Sequence, residues 1–104
     1  MSQVSLLKYS FAWDPIKAVQ NELKHKISFN RAATIFHDQN ALSIFDVDHS
    51  VSEDRFVSMG IDSNGVLLVV VHTFRESDSK NSEIRLISAR KASKKEIKQY
   101  NGDL

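Results

Sequence analysis

Chemically versatile side chains cluster on two predicted strands near the C-terminus. His72 interrupts an apolar strand predicted over residues 66–74, Arg75 follows it, and Arg85 lies on the next predicted strand, residues 83–89. If residues 76–82 connect these strands as a hairpin, the side-chain alternation favours a register that pairs His72 with Arg85. The sequence therefore predicts an imidazole beside a guanidinium at one end of a sheet.

A histidine beside arginines suits proton transfer at a phosphate group. Arginine binds phosphate oxygens through a fork of two hydrogen bonds, and a nearby positive charge keeps an imidazole neutral and able to accept a proton near neutrality. A structural interpretation is also open, with His72 as a hydrogen-bonded histidine near the core and Arg85 paired to an acid. Arg90 leaves the opposite end of its strand, so we expect it to serve substrate binding or the fold.

Two further polar clusters have both a functional and a structural interpretation. Residues 24–26 (Lys-His-Lys) either bind a nucleic-acid backbone or place cations at a helix C-terminus. Asp46 and Asp48 form a weak candidate for a hard cation, with an exposed strand end as the alternative. Glycine-rich phosphate loops and the GxSxG motif are absent from the sequence, which argues against nucleotide cofactors and serine chemistry.

The composition is that of a single globular domain, residues 1–104. Hydrophobic residues make up 41% and charged residues 26% of the sequence, and the formal net charge is +1, so total charge does not indicate a nucleic-acid partner. The absence of cysteine excludes disulfides and thiolate metal sites. We find neither an apolar run of membrane-spanning length nor a signal-peptide pattern, and we expect a cytoplasmic protein without a membrane role.

The elements that must position these residues follow from periodicity and caps. Strands are predicted over residues 6–13, 41–48, 55–62, 66–74 and 83–89. Helices are predicted after Asp14-Pro15 to about residue 25, after Ser28, and after Ser93 to about Tyr100. The expected fold class is α+β, with two helices in the N-terminal half and one C-terminal helix packed on a mainly antiparallel sheet.

Several segments follow one another along much of the chain: residues 11–18 (FAWDPIKA), Asn21, residues 24–29 (KHKISF), Arg55 with Gly60, residues 67–75 (LLVVVHTFR), residues 84–92 (IRLISARKA), and Lys95, Glu96 and Tyr100. In this order they resemble the BrnT family of ribonuclease toxins, whose N-terminal pattern is F-x-W-D-x-x-K-A, then N, then K-H-G-I-S-F. Two departures stand out. Lys26 occupies the place of a usual glycine, which would suit a left-handed helix stop, and residues 30–31 (Asn-Arg) replace a commonly acidic stretch.

The resemblance implies a RelE-like fold and a toxin of a type II toxin–antitoxin system that cleaves RNA and inhibits translation. It implies no cofactor and no metal, with an RNA substrate and a BrnA-type antitoxin of ribbon-helix-helix structure. The antitoxin would make the contacts to operator DNA, and a dimer within the complex is one open arrangement. A non-catalytic binding module with a toxin-like fold is the alternative, and a metal-dependent nuclease at Asp46 and Asp48 is a third.

Site residues follow from the resemblance and the strand pattern together. We expect Arg75 and Arg85 to hold the scissile phosphate and His72 to be the leading proton-transfer candidate. The expected substrate-binding residues are Lys24, Arg55 and Arg90.

Overall fold

The computed structural model describes residues 8–51, 53–76, 78 and 80–102. The strands are β1 (Lys8–Ala12), β2 (Leu42–Phe45), β3 (Arg55–Ile61), β4 (Leu67–Glu76) and β5 (Asn81–Lys91), and the α-helices are α1 (Pro15–His25), α2 (Phe29–Ala33) and α3 (Lys94–Asn101). This order confirms the predicted α+β class. Residues 6 and 7 of the predicted first strand lie outside the described residues.

Helix α1 begins and ends where the sequence predicts. The Asp14 carboxylate accepts a hydrogen bond from the Ile16 N–H at 2.8 Å, and Pro15 occupies the first helical turn, where no N–H is needed. The helix ends at Lys26, which adopts the left-handed conformation at φ 61°. A lysine therefore occupies a backbone position that glycine would adopt with less strain.

The face of α1 that packs on the sheet is small and polar. The buried Asn21 amide accepts a hydrogen bond from the Ala89 N–H at 3.0 Å and donates to the Ala89 and Ile27 carbonyl oxygens. Strand β1 pairs with β5 only as far as Ala12 opposite Arg85. Asn21 thus satisfies the edge of β5 where β1 has ended, and this fixes α1 beside that edge.

Behind Ser28, α2 and a following 3₁₀ turn (Thr34–His37) cover one face of the sheet. Ser28 Oγ accepts a hydrogen bond from the Arg31 N–H at 3.1 Å, as its predicted capping role requires. The residues of this core are Ile27, Phe29, Ala32, Ile35, Leu68, Val70, Ile84, Leu86 and Ala89. Because these core residues are buried on one face of the sheet, the opposite face is the more exposed one.

The sheet has the order β1-β5-β4-β3-β2. Strand β1 is parallel to β5, whereas the β5–β4, β4–β3 and β3–β2 pairs are antiparallel. The mainly antiparallel sheet is therefore confirmed, and β4 is its central strand. β1 and β2 are the two edge strands.

The register between β4 and β5 differs from the predicted one. Thr73, and not His72, lies opposite Arg85, and His72 lies opposite Leu86. A β-bulge then shifts the pairing, because Val71 lies opposite Ser88 and Ile87 is the extra residue. Since a shift of one residue reverses the face of a side chain, His72 and Arg85 project from opposite faces.

Two local predictions at the remaining elements have different outcomes. Helix α3 has the predicted capping box, with the Ser93 hydroxyl bound to the Glu96 N–H and the Glu96 carboxylate bound to the Ser93 N–H. The strand predicted over residues 41–48 is shorter: β2 ends at Phe45, and a 3₁₀ turn (Val47–His49) follows. Asp46 and Asp48 therefore do not share one strand face.

Candidate active site

Three arginines project from the open face of the sheet. Arg55 on β3 and Arg85 on β5 both pair with Thr73 on the central strand, so the side chains of Arg55, Thr73 and Arg85 share one face. With strands spaced by about 4.8 Å, the Arg55 and Arg85 backbones are about 10 Å apart. Arg75 lies two residues further along β4 on the same face, opposite Glu83.

Two cavities adjoin this arginine row, and Arg85 lines both. The first, of about 290 Å³, is lined by Asp14, Lys17, Arg55, Arg85, Leu86 and Ile87. The second, of about 390 Å³, is lined by Glu53, Asp54, Thr73, Phe74, Arg75, Glu83 and Arg85. The row therefore borders a groove that holds cations and carboxylates together, the two kinds of group that phosphate chemistry needs.

The arginines of the row differ in their partners. Arg85 forms an ion pair with Glu53, and Arg75 donates to Glu83 at 3.2 Å. These four side chains are between 42% and 74% exposed, so both pairs are weak and replaceable by a ligand. Arg55 has a buried Nε without a hydrogen-bond partner among the described residues, and its side chain lines the first cavity.

The N-terminal part of α1 adds a lysine to the groove. Lys17 lines the first cavity together with Arg55 and Arg85. Lys24 follows seven residues later on the same side of the helix, about 10 Å along its axis, and both lysines are exposed. The predicted substrate-binding residue Lys24 thus lies on a line that leads away from the arginine row through Lys17.

Sequence reasoning missed Lys17, Glu53 and Thr73 as groove residues. Lys17 belongs to the N-terminal segment that carries the family resemblance, so its position in that pattern was an available signal. Thr73 likewise belongs to a matching segment, residues 67–75. Glu53 had no such signal, because only the tertiary structure brings it to Arg85.

His72 lies on the opposite face, where it is 3% exposed. Its ring is perpendicular to Phe36, with centroids 4.9 Å apart, and stacked on Phe56. Nδ1 lies 3.0 Å from the Thr73 carbonyl oxygen, which can only accept, so Nδ1 carries the proton and Nε2 accepts from the Ser58 hydroxyl at 2.6 Å. Burial lowers the pKa of His72, and its hydrogen bond to Thr73 partly opposes that shift. The ring is therefore neutral and enclosed.

The cleft above His72 is aromatic. It has a volume of about 280 Å³ and is lined by Tyr9, Phe36, Ser43, Phe56, His72, Phe74 and Ile84. Among the described residues, no lysine or arginine lines it, in contrast to the arginine row on the other face. Charge therefore favours the arginine row as the place for a phosphate.

Arg90 lies away from the arginine row and forms an ion pair with Glu96. The bulge at Ile87 places it on the same face as Arg85, but opposite Val69, four residues of β4 away from Thr73. Its guanidinium donates to both Glu96 oxygens, at 2.8 and 2.9 Å. The Glu96 carboxylate holds the pKa of Arg90 above its usual value, and Arg90 in turn is the main reason that the pKa of Glu96 falls to about 2. This bidentate pair anchors α3 to β5.

The comparison with known proteins identifies the family. Residues 13–96 match the family described as "Ribonuclease toxin, BrnT, of type II toxin-antitoxin system". The chain belongs to the BrnT family. A structure search matched the crystal structure of the Brucella abortus ribonuclease toxin BrnT, with a TM-score of 0.58 and 20% sequence identity over 84% of this chain and 100% of that chain. At this identity the match shows a shared fold. A search of curated proteins gave no match.

The BrnT family match encloses the whole groove, from Asp14 on α1 to Arg85 on β5. Among the helices of the described segments, none is long and apolar enough to cross a membrane. Within the same segments, no three His, Cys, Asp or Glu side chains are grouped as a metal site would require. Asp46 instead accepts a hydrogen bond from His49 at 2.9 Å, and Asp48 is exposed on the 3₁₀ turn.

Proposed function

We propose that this BrnT-family protein is an endoribonuclease that cleaves RNA without a metal, inhibits translation in the cytoplasm, and is neutralised by a BrnA-type antitoxin. The single observation that carries the proposal is the row of Arg55, Thr73 and Arg85 beside a groove that also contains carboxylates. A phosphorane transition state concentrates negative charge, and fixed arginines stabilise that charge most where they are already in position.

In the proposed mechanism, Arg85 and Arg55 bind the scissile phosphate from either side of Thr73. The phosphate replaces Glu53 as the partner of Arg85 and contacts Arg55, which lines the same cavity. Arg75 contacts the same phosphate or its 3′ neighbour. Lys17 and Lys24 bind the adjoining backbone, a contact that tolerates any base sequence.

The released Glu53 carboxylate is the proposed general base. It takes the proton of the ribose 2′-hydroxyl, whose oxygen then attacks the adjacent phosphorus. The P–O5′ bond breaks, a 2′,3′-cyclic phosphate forms, and the leaving 5′-oxygen takes a proton from solvent in the open groove. General base catalysis of this kind contributes about 10²–10⁴-fold to the rate.

His72 has no proton-transfer step in this mechanism. Its ring nitrogens are occupied by Ser58 and Thr73, and the ring faces away from the arginine row. We propose that it holds β3 and β4 together beneath the site. Arg90 likewise acts through the anchoring of α3 and not through substrate contact.

The test is RNA cleavage in the presence of EDTA by the unmodified protein, Arg85→Ala and the control Lys98→Ala. Lys98 is an exposed lysine on α3, so its removal also deletes one positive charge. We expect Arg85→Ala to lose about 10²–10³-fold in rate, the usual cost of one transition-state donor, and Lys98→Ala to remain fully active.

Several outcomes would contradict parts of the proposal. Full activity of Arg85→Ala would reject the site, and inactivity of the unmodified protein until magnesium is restored would reject metal independence. If the unmodified protein binds RNA but neither cleaves it nor arrests growth when expressed, the protein is a binding module.

A further inference from the structure

The outer face of α1 is apolar and, in the part of the chain that the structure describes, exposed. Ile16, Val19 and Leu23 follow the helical repeat, and their exposures are 68%, 59% and 69%. The helix packs on the sheet through the opposite side, where Asn21 is buried and Ala18 is packed against the core. Three large aliphatic side chains on an eleven-residue helix thus form one continuous stripe in solvent.

Positive charge borders this stripe along one side. Lys17 and Lys24 lie seven residues apart on the flank that faces the arginine groove, and Lys17 lines the groove itself. The other flank carries the exposed Glu22. The surface therefore combines an apolar stripe with a basic border on the side of the candidate active site.

The chemistry of this surface selects the class of partner. An RNA backbone satisfies the lysines but leaves the aliphatic stripe in water. A protein helix with its own apolar stripe covers Ile16, Val19 and Leu23, and acidic residues beside that stripe pair with Lys17 and Lys24. The complementary partner is thus an amphipathic helix with an acidic flank.

We propose that the outer face of α1 is the binding surface for such a helix of the antitoxin. The inference rests on the proposed function only in taking the antitoxin as the partner. When bound, the acidic flank occupies Lys17 and Lys24, the two lysines assigned above to the RNA backbone. The antitoxin therefore neutralises the toxin by direct competition with RNA along this line.

The test measures the affinity of the toxin for the protein encoded by the adjacent reading frame. The variant is Val19→Ser with Leu23→Ser, both fully on the outer stripe and outside the groove. The matched control is Ile44→Ser with Val47→Ser, two residues that are 70% and 75% exposed near the other edge of the sheet. All side chains removed are exposed, so each double variant is expected to fold.

We expect the α1 variant to lose tenfold or more in antitoxin affinity, and the control variant to change less than twofold, because buried apolar anchors dominate interfaces. RNA cleavage by the free α1 variant should equal that of the unmodified protein, but the antitoxin should inhibit it less. Raising the salt concentration should weaken the unmodified complex, because the lysine border contributes through charge.

The results that overturn the inference are separate from those that overturn the proposed function. Normal antitoxin affinity of the α1 variant rejects this surface and leaves the ribonuclease proposal intact. A variant that loses RNA affinity instead marks an RNA surface, and one that only dissociates a self-associated toxin marks a contact between two copies. Failure of the unmodified protein to bind the adjacent product rejects both the antitoxin proposal and this surface.

Discussion

Arg55 and Arg85 flank Thr73 from the two strands on either side of it, so that one threonine of the central strand separates two guanidinium groups on one face. The spacing is set by the strand pairing itself. Sheet backbones are among the most rigid parts of a fold, so the two arginines are held in position before a ligand arrives.

Removal of the Glu53 charge should change RNA binding and RNA cleavage in opposite directions. Glu53→Gln should bind RNA severalfold more tightly, since the competing carboxylate on Arg85 is gone, but should cleave it about 100-fold more slowly if Glu53 is the base. Single-turnover rates and equilibrium binding measure the two effects. Glu83→Gln, which removes the matching charge on Arg75, should bind more tightly and keep its rate. Unchanged cleavage by Glu53→Gln would remove the base from the mechanism.

His72 should matter for stability and not for chemistry. His72→Ala removes a buried ring and leaves the Ser58 hydroxyl without that partner, which should reduce the free energy of unfolding by about 2–4 kcal/mol in urea denaturation. At a temperature where the variant is still folded, its cleavage rate should match the unmodified protein. A large loss of rate in a fully folded variant would restore His72 to the mechanism.

The same histidine makes the fold sensitive to acid. Burial lowers the pKa of His72 in the folded protein below the ordinary histidine value of 6.5, so the unfolded chain binds the proton more readily. The stability contribution is present above pH 6.5 and is lost as the pH falls from 6.5 toward the folded value. Unfolding free energies measured on both sides of this window should fall with acid, and His72→Asn should show a smaller decrease. An equal decrease in both proteins would assign the effect to other groups.

Replacement of Lys26 by glycine should stabilise the folded protein. Its φ of 61° lies in the left-handed region, which costs a side-chain-bearing residue about 1 kcal/mol relative to glycine. Lys26→Gly should therefore raise the unfolding free energy by about that amount, allowing for the exposed hydrogen bond from Lys26 Nζ to the Leu23 carbonyl that it removes. Lys24→Gly, the same change inside α1, should instead lower it by about 1 kcal/mol. Destabilisation by Lys26→Gly would contradict the assigned backbone strain.

The Arg90–Glu96 ion pair that anchors α3 should make the stability of the protein depend on pH in a more acidic range. Because Arg90 and the Ser93 N–H hold the pKa of Glu96 at about 2, against 4.5 for the free group, its contribution is complete above pH 4.5 and is lost as the pH falls toward 2. Glu96→Gln should flatten the acid dependence of stability in this window. Arg90→Ala should lower stability while RNA cleavage by the folded protein is retained. A selective loss of RNA binding by Arg90→Ala would return Arg90 to the substrate site.

The sequence by itself determined the parts of this protein that depend on neighbouring residues. Caps at Asp14, Ser28 and Ser93 placed the starts of the three helices, and the long apolar run predicted the strand that forms β4. Motifs along the chain identified the family, and they required no knowledge of which residues touch. Arg75 and Arg85 could be chosen as candidates because arginine is chemically suited to phosphate wherever it lies.

Only the tertiary structure decided which of these residues meet. The hairpin register of β4 and β5, shifted by one residue from the predicted pairing, separates His72 from Arg85. The pairing of β3 with β4 brings Arg55 to Thr73, and neither register follows from alternation along one strand. The orientation of α1 is equally non-local: its apolar stripe predicts the helix, but the hydrogen bonds of Asn21 to Ala89 decide which face is docked. Pairing between residues far apart in the chain sets register, and register determines which side chains share a face.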